Sequence, residues 1–338
     1  MIPQTLLNKI HHQDNREGMA QLPDKCANLI IADPPYFEVK GDFDFVFPSF
    51  DAYLEFMEEQ ARHYKRILAD NGTLFVYGDA KNIAYVQTIF DHYFNLANSL
   101  VWENTNPHKQ QTKWATGLRS FAPLTERILM YTQDVFNLTE CVFYIRDYIR
   151  AEIMKAKGRV VFKEVNAALG TATNGGGVAS ACLSLDKAEP GMITKEMYLK
   201  LQEWCSPYLR KEYEDLRKEY EDLRKEYEDK RRPFYNFQNW GDVIRLPNFE
   251  TGDYEHETIK PEKLTRTLIL TCSRPNDLVV VPFAGSGTEC AMSLKEGRRF
   301  IGYETDAKHV QTATDRCHQI MRTPTLFDTI HQPLNQAS

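Results

Sequence analysis

Apolar residues occur along this chain in two patterns, short continuous runs and longer segments with helical spacing. Residues 29–32 and 278–283 are short continuous runs, which are typical of strands buried on both faces of a sheet. Residues 50–68 repeat apolar side chains at every third or fourth position, as amphipathic helices do. Asn71-Gly72 predicts a turn. Together these patterns predict strands over 29–32, 73–77, 99–102, 126–131, 278–283 and 299–304, and helices over 50–68, 82–90, 262–272, 288–296 and 307–321.

Strands and helices alternate in two parts of the chain, residues 1–139 and 241–338, up to a polar tail after Thr323. Such alternation is typical of a parallel sheet with helices on both faces, so we predict one α/β domain built from both parts. Residues 140–240 lack this alternation, and we predict a mostly helical insert with a glycine-rich break at 173–177. A large α/β domain with an insertion also suits a chain of 338 residues.

The predicted insert ends in three identical copies of a heptapeptide, LRKEYED, at residues 209–215, 216–222 and 223–229. Leucine and tyrosine recur at alternating spacings of four and three, which is a heptad stripe. We predict one continuous helix over the three copies, about 30 Å long at a rise of about 1.5 Å per residue. This helix is either a rigid strut that places the insert relative to the α/β domain or a helix that pairs in a dimer.

Composition excludes several classes of protein. Mean hydropathy is -0.49, and no apolar run approaches the roughly 18 residues that a membrane-spanning helix needs. The first residues show no signal pattern of basic and then apolar residues. The 7 cysteines are scattered singly, which disfavours a structural zinc site or a disulfide framework. We therefore expect reduced thiols, no metal and a cytoplasmic location.

The net charge of -6 is not typical of a nucleic-acid-binding protein. Non-specific DNA affinity nevertheless depends on clustered Lys and Arg rather than on a basic average. One such cluster comprises Lys109, Lys113 and Arg119, and a second runs from Arg146 to Lys163. Both clusters are candidate DNA contacts, and solvated helix faces are the alternative interpretation.

Asp33-Pro34-Pro35-Tyr36 directly follows the predicted strand 29–32. The Asp33 carboxylate and the Pro34 carbonyl, held rigid by two prolines, can accept both hydrogens of an exocyclic amine on adenine or cytosine. The nitrogen lone pair would then face an electrophilic methyl group while the tyrosine ring stacks on the base. An ordinary strand-to-turn junction is the alternative, because Asp-Pro is common in turns.

Phe283-Ala284-Gly285-Ser286-Gly287-Thr288 joins a predicted strand to a predicted helix. Glycines let the backbone approach a ligand there, and a helix N-terminus favours a carboxylate. Glu304 ends the next strand, where an acidic residue accepts ribose hydroxyls, so this part of the chain predicts a nucleoside cofactor. Cys290 stands where a dinucleotide fingerprint has its third glycine, which disfavours an NAD-dependent oxidoreductase.

With the two motifs in this order, the chain resembles the β-class DNA adenine-N6/cytosine-N4 methyltransferases over most of residues 1–139 and 241–322. The resemblance implies a Rossmann-like domain that binds S-adenosylmethionine, releases S-adenosylhomocysteine, and methylates a flipped-out base of duplex DNA directly. It also implies that Asp14 holds the cofactor adenine, that Glu304 holds its ribose, and that Lys260-Pro261, in the element 256–261, lies beside its methionine end. Protein glutamine methyltransferases are disfavoured, because their cofactor loop precedes their Asn-Pro-Pro-Tyr motif.

Positions 33 and 281 bear on the target base and on the cofactor affinity that the resemblance implies. Adenine enzymes of the family usually carry Asp or Asn at the position of Asp33, so the resemblance implies adenine N6, with cytosine N4 as the alternative. The family's cofactor loop normally begins Asp-Pro-Phe, whereas Val281 stands here, so we expect weak but measurable cofactor binding.

A catalytically impaired DNA-binding protein and an enzyme acting on RNA are further alternatives. Trp102 and Glu126 resemble family positions that line the target pocket.

In the resembled family, the segment between the two halves usually recognises the DNA sequence. We predict a helix-turn-helix from residues 162–169, a turn at Gly170, and residues 177–183. A helical bundle that only packs or oligomerises is the alternative. A homodimer and a cognate restriction endonuclease are candidate partners by resemblance. The candidate contacts of the insert to bases are Asn174 and Ser180, and those to phosphates are Arg159 and Lys163.

Overall fold

The computed structural model describes residues 2–39, 44, 46–106, 121, 123–133, 139–173, 176–187, 190–247 and 260–322, with the backbone alone at 139–142. Contacts divide the chain into two units, Met1–Val135 with Arg232–Ser338, and Phe136–Arg231. The second unit therefore ends before the predicted limit of the insert at residue 240. Residues 232–240 belong with the first unit because the Tyr235 N–H donates to the Thr271 carbonyl at 2.9 Å and Trp240 packs against its core.

Secondary structure follows the chain in this order: β1 (Lys9–His12), α1 (Asn15–Ala20), β2 (Ala27–Ala32), α2 (Phe50–Ile67), β3 (Leu68–Gly78), α3 (Ile83–Phe90), β4 (Asn95–Asn104), β5 (Thr125–Thr132), α4 (Thr139–Lys157), α5 (Phe162–Leu169), α6 (Val178–Leu183), α7 (Lys195–Trp204), α8 (Tyr213–Lys230), β6 (Val243–Leu246), α9 (Glu262–Cys272), β7 (Leu278–Val281), α10 (Thr288–Lys295), β8 (Arg299–Glu304) and α11 (Ala307–Arg322).

The strands of the first unit form one 8-stranded sheet in the order β1-β8-β7-β2-β3-β5-β4-β6. Strand β5 runs antiparallel to its neighbours β3 and β4, and the other pairs are parallel. Since β8, β7 and β2 are parallel and adjacent, the residues that follow them emerge at the same edge of the sheet. Ligands of open α/β sheets bind at this edge, beyond the carboxyl ends of the strands.

Side chains of the sheet alternate between two apolar cores, one on each face. Leu278 and Val280 of β7 join the core formed with α1, α2 and α3, whereas Val279 and Val281 join the core formed with α9, α10 and α11. This alternation is the two-residue period of a strand. The predicted α/β architecture with helices on both faces is confirmed.

The predicted turn at Asn71-Gly72 is wrong. Helix α2 ends at Ile67, and β3 already begins at Leu68. Ala27 of β2 lies opposite Leu68, but Leu29 lies opposite Thr73, so the intervening residues of β3 form an irregularity within the strand. Three short elements were not predicted, namely β1, α1 and β6.

The second unit is helical and has a core of its own among its described residues, which includes Ile149, Leu169 and Tyr198. Helices α5 and α6 nearly coincide with the two predicted segments. The connection between them is longer than the three or four residues of a helix-turn-helix. It begins at Gly170, in the left-handed conformation with φ 72°, and α6 starts only at Val178. The two predicted helical segments and the turn at Gly170 are confirmed, and their role as a helix-turn-helix stays a prediction.

The repeat helix is shorter than predicted. Helix α8 begins at Tyr213, so residues 209–212 of the first copy lie outside it. Leu209 is buried with a left-handed φ of 55°, and its N–H donates to the Glu152 carboxylate of α4 at 3.1 Å. Packing of Leu209 into the helical core thus prevails over its helix propensity. The 18 residues of α8 extend about 27 Å at about 1.5 Å per residue, and its role as strut or dimer contact stays a prediction.

Two glycines before α10 allow a stability prediction. Gly287 and Gly285 both have positive φ, 79° and 49°, but a Cβ on Gly287 would lie 2.6 Å from the Ala313 Cβ, whereas a Cβ on Gly285 meets no described atom within 4 Å. We expect Gly285→Ala to lower the free energy of unfolding by about 1–2 kcal/mol through left-handed strain alone. Gly287→Ala should add overpacking of about 1–3 kcal/mol.

Urea unfolding of the ligand-free protein measures both changes from the shift of the transition midpoint. Equal midpoints for the two variants would show that α11 does not pack against the loop as described.

Candidate active site

Asp33 lies at the carboxyl end of β2, where its carboxylate is held from two sides. The Tyr36 hydroxyl donates to Oδ1, and the Lys260 ammonium lies 3.0 Å from Oδ2. The Asp33 side chain retains 27% of its exposure. Since each carboxylate oxygen carries two lone pairs, the group can still accept further hydrogen bonds from a ligand at this edge of the sheet.

Lys260, directly before α9, is the cation of this cluster. Its side chain is only 7% exposed, and its ammonium lies 2.8 Å from a Glu126 carboxylate oxygen as well as against Asp33. Burial lowers the pKa of Lys260, but the charges of Asp33 and Glu126 outweigh burial and raise it overall. Lys260 is therefore an ammonium ion at working pH, and it compensates two carboxylates that approach it from different strands.

Tyr36 is 5% exposed, and its ring lies 5.6 Å from the Lys260 nitrogen. Its N–H donates to the buried Asp44 carboxylate, which secures the backbone after the two prolines. Burial, reinforced by the charges of Asp33 and Glu126, raises the pKa of the Tyr36 hydroxyl well above its usual value, so the hydroxyl stays a donor. In this structure the Tyr36 ring packs in the apolar core, so the ring face that the predicted stacking on a base requires is covered.

A cavity of about 670 Å³ opens beside this corner. Three predicted cofactor residues, Asp14, Phe283 and Glu304, line it together with Pro35 of the Asp-Pro-Pro-Tyr motif. Its lining also includes Gln13, Asn15, Arg16, Val46, Phe47, Ala52, Glu55, Phe56, Glu59, Arg62, Pro282, Tyr303 and Thr305. The described lining does not include Lys260, whose ammonium faces Asp33 instead.

Asp14 caps the N-terminus of α1 and forms an ion pair with Arg16 at 2.7 Å. The hydrogen bond from Arg16 is the main cause of a lowered pKa for the Asp14 carboxyl, so this group is anionic. Asn15 donates to the Pro282 carbonyl at 3.1 Å, which ties α1 to the segment after β7. Residues 13–16 and 282–283 therefore form adjoining walls of the cavity.

The glycine loop is held mainly through its backbone. The Gly285 N–H donates to Glu304 at 2.9 Å, and the Ala284 N–H donates to the Tyr303 carbonyl at 2.8 Å. The Thr288 hydroxyl accepts a hydrogen bond from Arg316 of α11 at 2.8 Å. Ser286 lies between the two glycines, and Pro261 caps α9 with φ -59°. The loop residues are thus tied to β8 and α11, the strand and helix that complete this end of the sheet.

Sequence reasoning did not assign roles to Tyr77 and Glu289, which are both buried. The Tyr77 ring lies 4.9 Å from the Lys260 nitrogen. A charged residue at the start of an otherwise apolar helix was the available signal for Glu289. Trp102, a predicted pocket residue, is buried and donates from Nε1 to the Leu246 carbonyl at 3.1 Å, which joins β4 to β6. Glu126 does reach the candidate site, through Lys260.

Several predicted DNA contacts lie in the helical unit. Arg159 is exposed but pairs with Glu164 at 2.5 Å, Lys163 is exposed, and Ser180 on α6 is half-buried. Among the described residues, Glu164 is the ion-pair partner of Arg159, and the role of all three residues in DNA binding stays a prediction. The remaining predicted residues, Lys109, Lys113, Arg119, Asn174 and residues 256–259, lie outside the described residues.

Within the described ranges, no helix is long and apolar enough to cross a membrane. In the same part of the chain, no group of three or more His, Cys, Asp or Glu side chains is placed to hold a metal ion. The six described cysteines, of which five are buried, are free thiols.

Comparison with known proteins identifies the family. The DNA methylase family model N6_N4_Mtase matches residues 27–315. The DNA adenine methyltransferase YhdJ of Escherichia coli (strain K12) is 22% identical over 312 residues, which span 91% of this chain and 81% of YhdJ. Among solved structures, TTHA0409 of Thermus thermophilus in complex with S-adenosyl-L-methionine has a TM-score of 0.52 at 18% identity, covering 93% of this chain and 96% of its own.

The cytosine-N4-specific PvuII DNA methyltransferase has a TM-score of 0.53 at 14% identity, covering 92% of this chain and 89% of its own. At these identities the two structures show a shared fold. The family model, in contrast, spans most of the sheet, both motifs and the insert. The chain therefore belongs to the DNA methylase family.

Proposed function

We propose that this protein transfers a methyl group from S-adenosylmethionine to N6 of adenine in duplex DNA, after the base is flipped out of the helix. The observation that carries the proposal is the meeting of two sites at one sheet edge. The Asp-Pro-Pro-Tyr corner after β2 contributes Pro35 to the same cavity that Phe283 and Glu304 line from β7 and β8. A nucleoside cofactor and a planar amine could thus be bound side by side.

The cavity fits S-adenosylmethionine in size and in the chemistry of its lining. Pockets for ligands of this size measure about 300–1,000 Å³. Phe283, Phe56 and Tyr303 offer apolar faces to an adenine ring, and Asp14 offers an anionic acceptor. Glu304 is anchored by the backbone N–H groups of Gly285, Thr305 and Asp306, so its carboxylate is preorganised to accept ribose hydroxyls.

The cofactor, when bound, supplies an electrophilic methyl group on a sulfonium. Asp33 and the Pro34 carbonyl accept the two hydrogens of the target amine and orient its lone pair towards that methyl group. Lys260 and Glu126 act through Asp33, because the ammonium stabilises the ionised carboxylate and fixes its position. Tyr36 donates to the same carboxylate, and we propose that its ring contacts the base once the corner opens to admit it.

Adenine is the proposed base on two grounds. An Asp at position 33 matches the adenine enzymes of the resembled family, and the Escherichia coli relative is named an adenine methyltransferase. The PvuII neighbour is cytosine-N4-specific at similar structural likeness, so the fold alone does not distinguish the bases.

The helical unit is the proposed reader of the DNA sequence. It is an independent core of described helices inserted between the two parts of the catalytic unit, and it presents the exposed cation of Lys163 on α5. Arg159 lies just before the same helix and is 69% exposed despite its ion pair. These two residues are our candidates for phosphate contacts.

Replacing Asp33 tests the catalytic assignment. We expect Asp33→Ala to reduce methyl incorporation into duplex DNA at least about a hundredfold, because an oriented acceptor at the reacting group is lost. Asp51→Ala, which removes an exposed carboxylate from α2 of the same unit, should retain wild-type activity. Transfer of radiolabelled methyl groups measures both. Equal incorporation by Asp33→Ala and wild type would refute the role of this corner.

The base is identified by mass spectrometry of nucleosides from DNA treated with the enzyme. We expect N6-methyladenine to be the methylated product and to disappear with Asp33→Ala. Detection of N4-methylcytosine instead would show that cytosine is the target base, and the other parts of the proposal would stand. The same digest from treated RNA should contain no methylated base.

Salt dependence tests the phosphate contacts. The double variant Arg159→Ala/Lys163→Ala should lower the slope of log affinity for duplex DNA against log salt by about 2, since each phosphate contact contributes about 0.9. Fluorescence anisotropy measures this slope. The matched control, Lys218→Ala/Lys225→Ala, removes two exposed charges from α8 and should leave it unchanged. Indistinguishable slopes for the three proteins would exclude both residues from the DNA interface.

A further inference from the structure

Glu289, in the first turn of α10, is a buried carboxyl group that the proposed reaction does not use. It is 6% exposed, and its carboxylate accepts a hydrogen bond from its own backbone N–H and a long one of 3.4 Å from the Thr265 hydroxyl on α9. Among the described residues it has no ion pair within 4.0 Å. The two nearby cations are engaged elsewhere, Lys260 with Asp33 and Glu126, and Arg316 with Glu262 at 2.7 Å.

Tyr77, near the end of β3, is a second buried polar residue, and it lies in the apolar core against which α10 packs. Its side chain is 1% exposed, and its hydroxyl has no hydrogen-bond partner in the described structure. Burial, followed by the charges of Glu289, Asp33 and Glu126, raises the pKa of this hydroxyl well above its usual value. The Tyr77 ring lies 4.9 Å from the Lys260 nitrogen, and Tyr77 packs in the same apolar core as α10. Buried polar groups nearly always have partners, so an unpaired hydroxyl and a buried carboxyl group without an ion pair, both among the described residues around one core, indicate that a polar ligand completes the site.

The chemistry of the groups indicates a cationic ligand. Burial raises the pKa of Glu289 to about 7, and the charge of Asp33 adds to this rise. Lys260 and Arg316 oppose it, while Tyr77 and the buried Cys290 face the group in neutral form. Near neutral pH both forms of Glu289 are accessible, and a cation in contact with it would favour the carboxylate.

The position of Glu289 relates it to the cofactor loop. Val281, the last residue of β7, is fully buried in the apolar core that also contains Tyr77, so the strand that leads into the loop ends without a carboxylate. Glu289 reaches the same face of the sheet from the helix that begins after the loop. The chain thus has a carboxyl group behind the loop, on α10 rather than on β7.

We infer that Glu289, together with the Tyr77 hydroxyl, binds the α-ammonium group at the methionine end of S-adenosylmethionine. The inference depends on the proposed cofactor. The N-terminus of α10, directly after the glycine loop, would favour the carboxylate of the cofactor and so hold its amino-acid end there. Glu289 in the first turn of that helix is placed for the ammonium and supplies the anion that Val281 does not.

Isothermal titration calorimetry tests the inference with three ligands. S-adenosylmethionine and S-adenosylhomocysteine carry the ammonium, whereas 5′-methylthioadenosine lacks the amino-acid end. We expect Glu289→Gln to weaken the first two on the order of tenfold to a hundredfold, because a charge-assisted contact is lost, and to leave the third unchanged. Glu296→Gln, which alters an acid at the far end of the same helix, should retain wild-type affinity for all three.

The outcomes separate the inference from the proposed function. Wild-type affinity of Glu289→Gln for all ligands would refute the contact, and equal weakening of all three would indicate a distorted loop and likewise refute it. Loss of affinity for S-adenosylmethionine alone would place Glu289 at the sulfonium and contradict the assignment to the ammonium. Failure of the wild-type protein to bind any of the three would instead overturn the proposed cofactor.

Proton release gives an independent measure. A cation that contacts Glu289 lowers the pKa of its carboxyl from about 7, so binding should release a fraction of a proton near neutral pH. Affinity should rise with pH through that range in the wild type more than in Glu289→Gln. Calorimetry in buffers of different ionisation enthalpy measures the release, and identical release by both proteins would overturn the contact. Thermal unfolding should show Glu289→Gln at least as stable as wild type, because it removes an unpaired buried acid.

Discussion

The candidate site depends on one buried cation, the ammonium of Lys260, which lies 3.0 Å from Asp33 and 2.8 Å from Glu126. Two carboxylates at the carboxyl edge of the sheet would repel each other and resist burial without it. With it, Asp33 is held as an oriented acceptor whose remaining lone pairs face the ligand edge. Removal of this cation would disturb the charge, position and hydration of Asp33 together, which explains why a lysine far along the chain belongs to the Asp-Pro-Pro-Tyr corner.

The cofactor side of the site is built differently, mainly from backbone and close packing. Gly285 donates to Glu304, and Gly287 approaches Ala313 so closely that a side chain would collide with it. These contacts bring β7, β8 and α11 together beside a cavity that is also lined by residues of α1 and α2. The Asp-Pro-Pro-Tyr corner is thus fixed by charge, and the glycine loop by main-chain geometry. Asp33 and Glu304 reach the same edge because β2, β7 and β8 are adjacent and parallel.

Periodicity predicted the long elements well, because apolar spacing over eight or more residues carries enough information to distinguish helix from strand. It missed β1, α1 and β6, which have 4, 6 and 4 residues. Such short segments hold too few apolar positions for a period to emerge, and their partners come from distant parts of the chain. The start of the repeat helix was missed for a related reason, since Leu209 packs into the core of the insert unit at the expense of a perfect sequence repeat.

The sequence alone determined the chemical groups available and their order, namely an acid followed by two prolines and an aromatic residue, then a glycine loop and a strand-ending acid. Those features are local, and local spacing is enough to reveal them. Only the tertiary structure decided which groups act together. It paired Lys260 with Glu126, 134 residues away, and packed the rings of Tyr36 and Tyr77 against that cation. Which charged groups interact depends on the distance between them in space, and burial strengthens each interaction. Neither the distance nor the burial can be derived from neighbours along the chain.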